Sequence, residues 1–241
     1  MKNILITGIS KGLGLEITKI FIDNDYFVYG ISRSKSEELD RLLKGNPEKV
    51  KWISFDLSNT EDVNDKIFNK FIPLDIPIAG FINNAAIAYD DIVTNLQMEP
   101  LERMYRVNVF TPMMMTKYVI RNMIYQRIKG SIVHLSSVSV HTGYKGLAMY
   151  ASTKGALEAF SKNTAREWGA RKIRSNCLVA GFMETEMSAT LTDEQKSRIY
   201  KRTSLKQATT TNSVANMAEF LISNKSESIT GQNIHVDSGT I

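Results

Sequence analysis

A glycine-rich turn between the first apolar strand and the first amphipathic helix constrains this chain more than any other feature. The turn, Thr7-Gly8-Ile9-Ser10-Lys11-Gly12-Leu13-Gly14, follows Asn3–Thr7, an apolar run that reads as a buried strand. It leads into Leu13–Asn24, where Leu13, Ile17, Ile20 and Phe21 recur at helical spacing. Glycines at such a junction permit tight backbone geometry and let a pyrophosphate approach the helix N-terminus. The spacing is Gly-x-x-x-Gly-x-Gly, not the commoner Gly-x-Gly-x-x-Gly, and a plain tight turn is the competing reading.

The same alternation continues along the chain. Further strands are predicted at Phe27–Ser32, Val50–Asp56, Ile78–Asn83, Ser131–Ser136, Ile173–Val179 and Asn233–Val236. Helices are predicted at Thr60–Phe71, Leu101–Arg127, Tyr150–Gly169 and Val214–Ser223. Short strands rich in Ile and Val, alternating with helices, predict an α/β fold with a parallel sheet covered on both faces. No repeat or linker interrupts the 241 residues, so a single domain, 1–241, is expected. The exception to the pattern is 183–211, polar and charged, with a helical look at Asp193–Lys201. A long excursion of this kind is expected to act as a substrate lid.

Composition removes several classes. Hydrophobic residues make up 43% and charged residues 23%, the balance of a soluble globular protein. No apolar run approaches the ~18 residues of a membrane span, and the apolar start is too short for a signal peptide. Cys177 is the lone cysteine, so a reducing, cytoplasmic setting is the default, and Cys177 reads as an inert core thiol. His134, His141 and His235 lack metal-ligand spacing, so no metal is expected. The formal charge is +5, with basic residues gathered at 166–174 and 196–206. Without interleaved aromatics these read as solvated helix faces, not as a nucleic-acid surface.

The ends of the strands carry the candidate chemistry. Ile31-Ser32-Arg33-Ser34 closes the second strand, where many dinucleotide folds place an acid against a ribose 2′-hydroxyl. Here the first acid is Glu37. Arg33, helped by Lys11, suits a 2′-phosphate, because a guanidinium fork matches phosphate oxygens, and NADP(H) is therefore favoured over NAD(H). A plain surface arginine is the alternative. Asp56-Leu57 follows the third strand, where a carboxylate can accept from an adenine amino group. Asn83-Asn84-Ala85-Ala86 follows the fourth, where small residues let a ribose pack close. Beyond the serines Ser136, Ser137 and Ser139 come Tyr150 and Lys154, four apart on a predicted helix and hence on one face, with Cβ atoms roughly 5–6 Å apart. An ammonium beside a phenol favours phenolate, which predicts a lowered Tyr150 pKa suited to proton transfer in a carbonyl–alcohol interconversion.

With these pieces in order the chain resembles the short-chain dehydrogenase/reductase family over essentially its whole length. The resemblance is carried by the Thr7–Gly14 loop, Asn83-Asn84-Ala85, Asn108, Ser137, Tyr150 with Lys154, and the closing Ile229–Asp237. Within the family it is most similar to the 3-oxoacyl-(acyl-carrier-protein) reductase type. The resemblance implies a Rossmann-like, doubly wound sheet of about seven strands in a three-layer α/β/α architecture. It implies Tyr150 as the acid in ketone reduction, and Lys154 lowering its pKa and binding the nicotinamide ribose. Ser137, thirteen residues before Tyr150, would hold the carbonyl oxygen, and Asn108 would support a water relay.

The cofactor would be held by Gly8, Ser10, Lys11, Gly12, Leu13, Gly14, Arg33, Asp56, Leu57, Asn84, Ala85, Ala86, Tyr150, Lys154, Gly181, Met183 and Thr185. A homotetramer or homodimer is implied, pairing the helix after Asn108 and the Tyr150 helix between subunits. There Met113-Met114-Met115 would fill core and interface gaps. An acyl carrier protein is implied as a possible substrate carrier, with no nucleic-acid or membrane partner.

Pro112 gives the relay a physical basis of its own. It lies four residues after Asn108 and has no N–H, so within a helix the Asn108 carbonyl loses its normal donor. A first-turn proline or a simple bend explains it equally well. Two positions depart from the family pattern: Ala86 replaces a common glycine, and Ala180 replaces a common proline, which predicts a looser entry to the lid. His141 and Tyr144 are candidates to line the substrate pocket. The favoured activity is NADPH-dependent reduction of a ketone to a secondary alcohol, of 3-oxoacyl thioester type. Oxidation of a sugar or other secondary alcohol, and a cofactor sensor without turnover, are the alternatives.

Overall fold

The computed structural model describes every residue except 186, 187, 189 and 190. Seven strands form one sheet: β1 Lys2–Thr7, β2 Tyr26–Ser32, β3 Val50–Ser54, β4 Ile78–Asn83, β5 Gly130–Ser137, β6 Ile173–Ala180 and β7 Asn233–Val236. They run in the order β3-β2-β1-β4-β5-β6-β7, and every neighbouring pair is parallel. The Rossmann-like, doubly wound sheet expected from the sequence is therefore what the chain forms. The order reverses between β1 and β4, and open α/β sheets place their clefts at the strand C-termini beside such a reversal.

The helices are α1 Gly12–Asp23, α2 Glu37–Gly45, α3 Met98–Tyr105, α4 Thr111–Tyr125, α5 Ser139–Thr142, α6 Ala148–Trp168, α7 Asp193–Arg202 and α8 Thr211–Ile222. Apolar side chains of α1 and α8, such as Ile17, Phe21, Val214 and Leu221, pack with Ile4, Ile6 and Val28 on one sheet face. On the other face Val63, Ile67, Met115, Val119 and Met123 pack with Leu5, Phe81 and Ile132. Two cores on opposite faces of one sheet make the three layers.

Three local outcomes differ from the sequence reading. Helix α2 was not anticipated, because a single residue in it, Leu39, is buried, and its apolar signal is correspondingly thin. It is set by its cap: the Ser36 hydroxyl accepts from the Leu39 N–H, and Glu37, Glu38 and Asp40 sit at its positive end. The segment expected as a regular helix at Thr60–Phe71 is a short 3₁₀ turn followed by a wide π-type turn, Val63–Phe71. The expected long helix Leu101–Arg127 is interrupted by a π-type turn at Arg106–Phe110, which contains Asn108. Pro112 follows in the first turn of α4, which is the simpler of the two readings of that proline.

The basic stretch before β6 also departs from a solvated face at one position. Arg174 donates to the carbonyls of Ile229, Ile222 and Ser223, so its guanidinium closes the C-terminal end of α8. Cys177 is fully buried in β6, and burial pushes its thiol up to about 12, as an inert core thiol requires. No helix among the described residues is long and apolar enough to cross a membrane, and these residues hold no cluster of three metal-ligating side chains.

Candidate active site

The cleft lies over the C-terminal ends of β1, β2, β4 and β5. Its first wall is the glycine turn. Gly8 (φ +76°) and Gly12 (φ +55°) both occupy the left-handed region. The Gly8 N–H donates to Ile31 O at 2.7 Å, which docks the turn on β2. Gly14 is needed for contact: a Cβ there would lie 2.0 Å from Gly8 O and 2.5 Å from Asn84 Nδ2.

Asn84 braces the turn from the opposite side of the strand-order reversal. Its Nδ2 donates to the carbonyls of Thr7 (3.0 Å) and Gly8 (3.2 Å), and its N–H donates to Thr7 Oγ1 at 3.1 Å. Helix α1 begins at this turn with no side-chain cap and no acid in its first turn, so its positive end is not neutralised locally. Among the described residues, a Cβ on Gly12 would have only the Thr185 side chain near, at 3.8–3.9 Å. An open glycine cradle at an uncapped helix start fits a dinucleotide pyrophosphate.

Every residue predicted to hold the cofactor lines this cleft except Gly181. Gly181 turns the other way: a Cβ on it would meet Thr209 Oγ1 at 2.4 Å and Asp237 Cα at 2.6 Å, so its missing side chain serves packing. Arg33 lines the far end with Ser32 and Asp56. The Asp56 carboxylate is held below its ordinary range, first by the Ser58 N–H at 2.9 Å and then by the Ser58 hydroxyl, Arg33 and Arg103. Arg103 itself lines the cleft and was missed. It sits on an amphipathic helix whose exposed charges look alike in sequence, and only the fold turns it toward Asp56.

Helix α6 carries Tyr150 and Lys154 into the same cleft. Lys154 is buried and donates to the Leu135 carbonyl of β5 at 2.8 Å, with Nζ 5.6 Å from the centre of the Tyr150 ring. Burial pushes the Lys154 ammonium down to about 8. The expected lowering of the phenol is corrected here. Burial drives the Tyr150 pKa above the ordinary tyrosine range, with Asp90 adding to the rise. Loss of water around the phenol is the first cause of that rise, and the Lys154 ammonium is committed to the Leu135 carbonyl.

Asn108 and Ser137 stand behind this wall. The Asn108 side chain is buried, accepts from the Ile87 N–H (2.9 Å) and donates to the Ile87 carbonyl (2.8 Å) and to Thr153 Oγ1 (3.1 Å). It thereby ties the loop after β4 to α6, one residue before Lys154. Ser137 ends β5 half-buried and accepts from Ser139. His141 does not line the cleft; its Nε2 lies 3.1 Å from Glu158 Oε1. Ala180 pairs with Ser137 and Val236 within the sheet, and the Gly181 N–H donates to Val236 O at 2.9 Å. Of the expected lid, Met183 and Thr185 line the cleft, and α7 opens on a Thr192–Gln195 capping box. Residues 186, 187, 189 and 190 of that segment lie outside the described residues.

A family model described as enoyl-(acyl carrier protein) reductase matches residues 8–240. The 3-oxoacyl-[acyl-carrier-protein] reductase of Chlamydia pneumoniae is 33% identical over 240 residues, covering 99% of this chain and 96% of its own length. Among solved structures, 4-hydroxyisoleucine dehydrogenase complexed with NADH superposes with a TM-score of 0.93 at 27% identity, covering 100% of this chain and 98% of that one. ElxO with NADP bound superposes with a TM-score of 0.89 at 28% identity, covering 99% and 98%.

Proposed function

The chain belongs to the short-chain dehydrogenase/reductase family, and we propose that it is an NADPH-dependent reductase of ketones to secondary alcohols, with 3-oxoacyl thioesters as the favoured substrates. The observation that carries this reading is one cleft lined by the glycine turn, Arg33, Tyr150 and Lys154 together. NADPH, when bound, supplies a hydride to the carbonyl carbon.

The side chains do the rest. Tyr150 gives its proton to the carbonyl oxygen as that oxygen gains charge, and a phenol held above its usual range keeps that proton at neutral pH. Ser137 donates to the same oxygen. Lys154, anchored on Leu135, holds the nicotinamide ribose, and its depressed pKa suits a group that passes protons near neutrality. Asn108 fixes the loop after β4 against α6 and supports the route by which the proton is replaced. Arg33 and Lys11 meet a 2′-phosphate, and Asp56 accepts from the adenine. The polar segment 183–211 closes over the substrate.

A homo-oligomer built on α4 and α6 is part of the proposal. A shallow depression between these helices is lined by Met113, Ile120, Ile124, Phe160 and Trp168, apolar side chains suited to burial against another copy, together with the charged Lys117, Arg121 and Glu167.

The test is NADPH oxidation over acetoacetyl thioesters, keto-sugars and cyclic ketones, with an enoyl thioester as the carbon–carbon double-bond control. Turnover of a ketone that Tyr150→Phe abolishes supports the reading, and turnover unchanged in Tyr150→Phe ends it. The likeness to a dehydrogenase complexed with NADH favours one second reading, oxidation of a secondary alcohol. A tighter affinity for NAD+ than for NADP+, with faster alcohol oxidation than ketone reduction, would select it.

A further inference from the structure

Three serines cluster at the end of β5, and the hydrogen bonds give each a different direction. The Ser137 hydroxyl accepts twice from Ser139: from its N–H at 3.2 Å and from its Oγ at 3.0 Å. A hydroxyl has one proton and two acceptor lone pairs. With both acceptor positions taken, the capacity left to Ser137 is donation. Ser136 lines the cleft, but its hydroxyl is committed, with Oγ donating to Glu158 Oε1 at 2.5 Å.

Glu158 gathers the surrounding elements. It lies on α6, one turn beyond Lys154, and is nearly fully buried. Besides Ser136 of β5, its carboxylate accepts from Asn233 Nδ2 of β7 at 2.7 Å and meets His141 Nε2 at 3.1 Å. His141 belongs to α5, the short turn that begins with Ser139. One buried carboxylate thus clamps the end of β5, the start of β7 and the turn that delivers Ser139 to Ser137. Buried charges of this kind persist when several donors satisfy them.

We propose that Ser139 and Glu158 are positioning residues. Ser139 fills the acceptor side of Ser137, so that Ser137 serves only as a donor to the substrate oxygen, and Glu158 holds the turn that places Ser139. The inference rests on the reading of Ser137 as the group that holds that oxygen. A donor-only hydroxyl matches a carbonyl that gains negative charge during reduction, and preset donors aimed at developing charge lower the barrier.

The experiment compares Ser139→Ala, Ser139→Thr, Glu158→Gln and Ser137→Ala with the parent protein. Each is assayed for NADPH oxidation with the ketone that the parent turns over fastest, for NADPH affinity by fluorescence, and for melting temperature. Ser139→Ala should lower kcat about tenfold, with KM and NADPH affinity within about twofold, and Ser139→Thr should restore most of the rate. Glu158→Gln should lower kcat in the same direction, by about threefold, without changing NADPH affinity.

Unchanged kcat in both Ser139→Ala and Glu158→Gln, while Ser137→Ala loses turnover, overturns this inference alone. A fall in rate that tracks a fall in melting temperature and is not rescued by Ser139→Thr overturns it too, as a structural effect. A parent protein that turns over no ketone in the panel removes the functional reading and this inference with it.

Discussion

The two ends of the cleft are built from different materials. At the β1–β4 end the shape is made by backbone: a Gly8–Gly14 turn with two left-handed glycines, an uncapped helix start, and an asparagine that hydrogen-bonds to main-chain groups. At the β5–α6 end it is made by buried side chains, with Lys154, Glu158 and the fully buried His134 packed within or beside one strand–helix pair. The glycine turn itself can change only by moving atoms, so its faults are steric. The side-chain end can change by moving protons, so its faults are electrostatic. A family of enzymes can keep the first fixed as a handle and vary the second for different chemistry.

The sharpest break in this comparison is Tyr150→Phe. It removes one oxygen from the side-chain end and should lower kcat by about 10²–10⁴-fold while NADPH affinity, set at the other end, stays within about twofold. Steady-state rates with parallel fluorescence titration measure both. Gly14→Ala attacks the backbone end. Its methyl would meet a main-chain oxygen that cannot swing aside, so we expect about 3 kcal/mol of lost stability and weakened NADPH binding, read by thermal melts with and without nucleotide.

Arg33→Ala should weaken NADPH about tenfold and leave NADH nearly unchanged, because the loss falls on one phosphate. Equal effects on both nucleotides would show that the backbone end does not select between them.

A further effect is expected in acid. Burial first, and then the Lys154 charge, pushes His134 down to about 3 from an ordinary 6.5. Between those values the unfolded chain binds a proton that the folded chain refuses. Stability contributed at neutral pH is therefore lost progressively as pH falls below 6.5. His134→Asn should flatten the melting temperature between pH 6.5 and 4.5 relative to the parent. An unchanged slope would place the acid sensitivity elsewhere.

The backbone end was also the more legible in sequence. Glycine spacing, strand period and the residues at strand ends are local signals, and they located all but one of the cleft residues assigned to the cofactor. Gly181 does not line the cleft, and in sequence a glycine packed against Thr209 and Asp237 looks the same as one set against a ligand. The pair Tyr150–Lys154 was legible as a pair, since helical spacing fixes the face they share. Its electrostatics was not, because burial depends on what the rest of the chain lays over a side chain. Glu158 gave no signal at all: its partners Ser136, His141 and Asn233 come from three elements, and only the sheet order unites them. Helix α2 was lost for the opposite reason, having almost nothing buried to announce it.

The bracing of Thr7 and Gly8 by Asn84 spans 76 or 77 positions of the chain. A growing polypeptide lays down the glycine turn long before the residue that buckles it. Until β4 slots in beside β1, that turn has a neighbour on one flank only. Fragments that stop short of residue 84 should therefore be unable to retain NADPH, however well their first two strands pair.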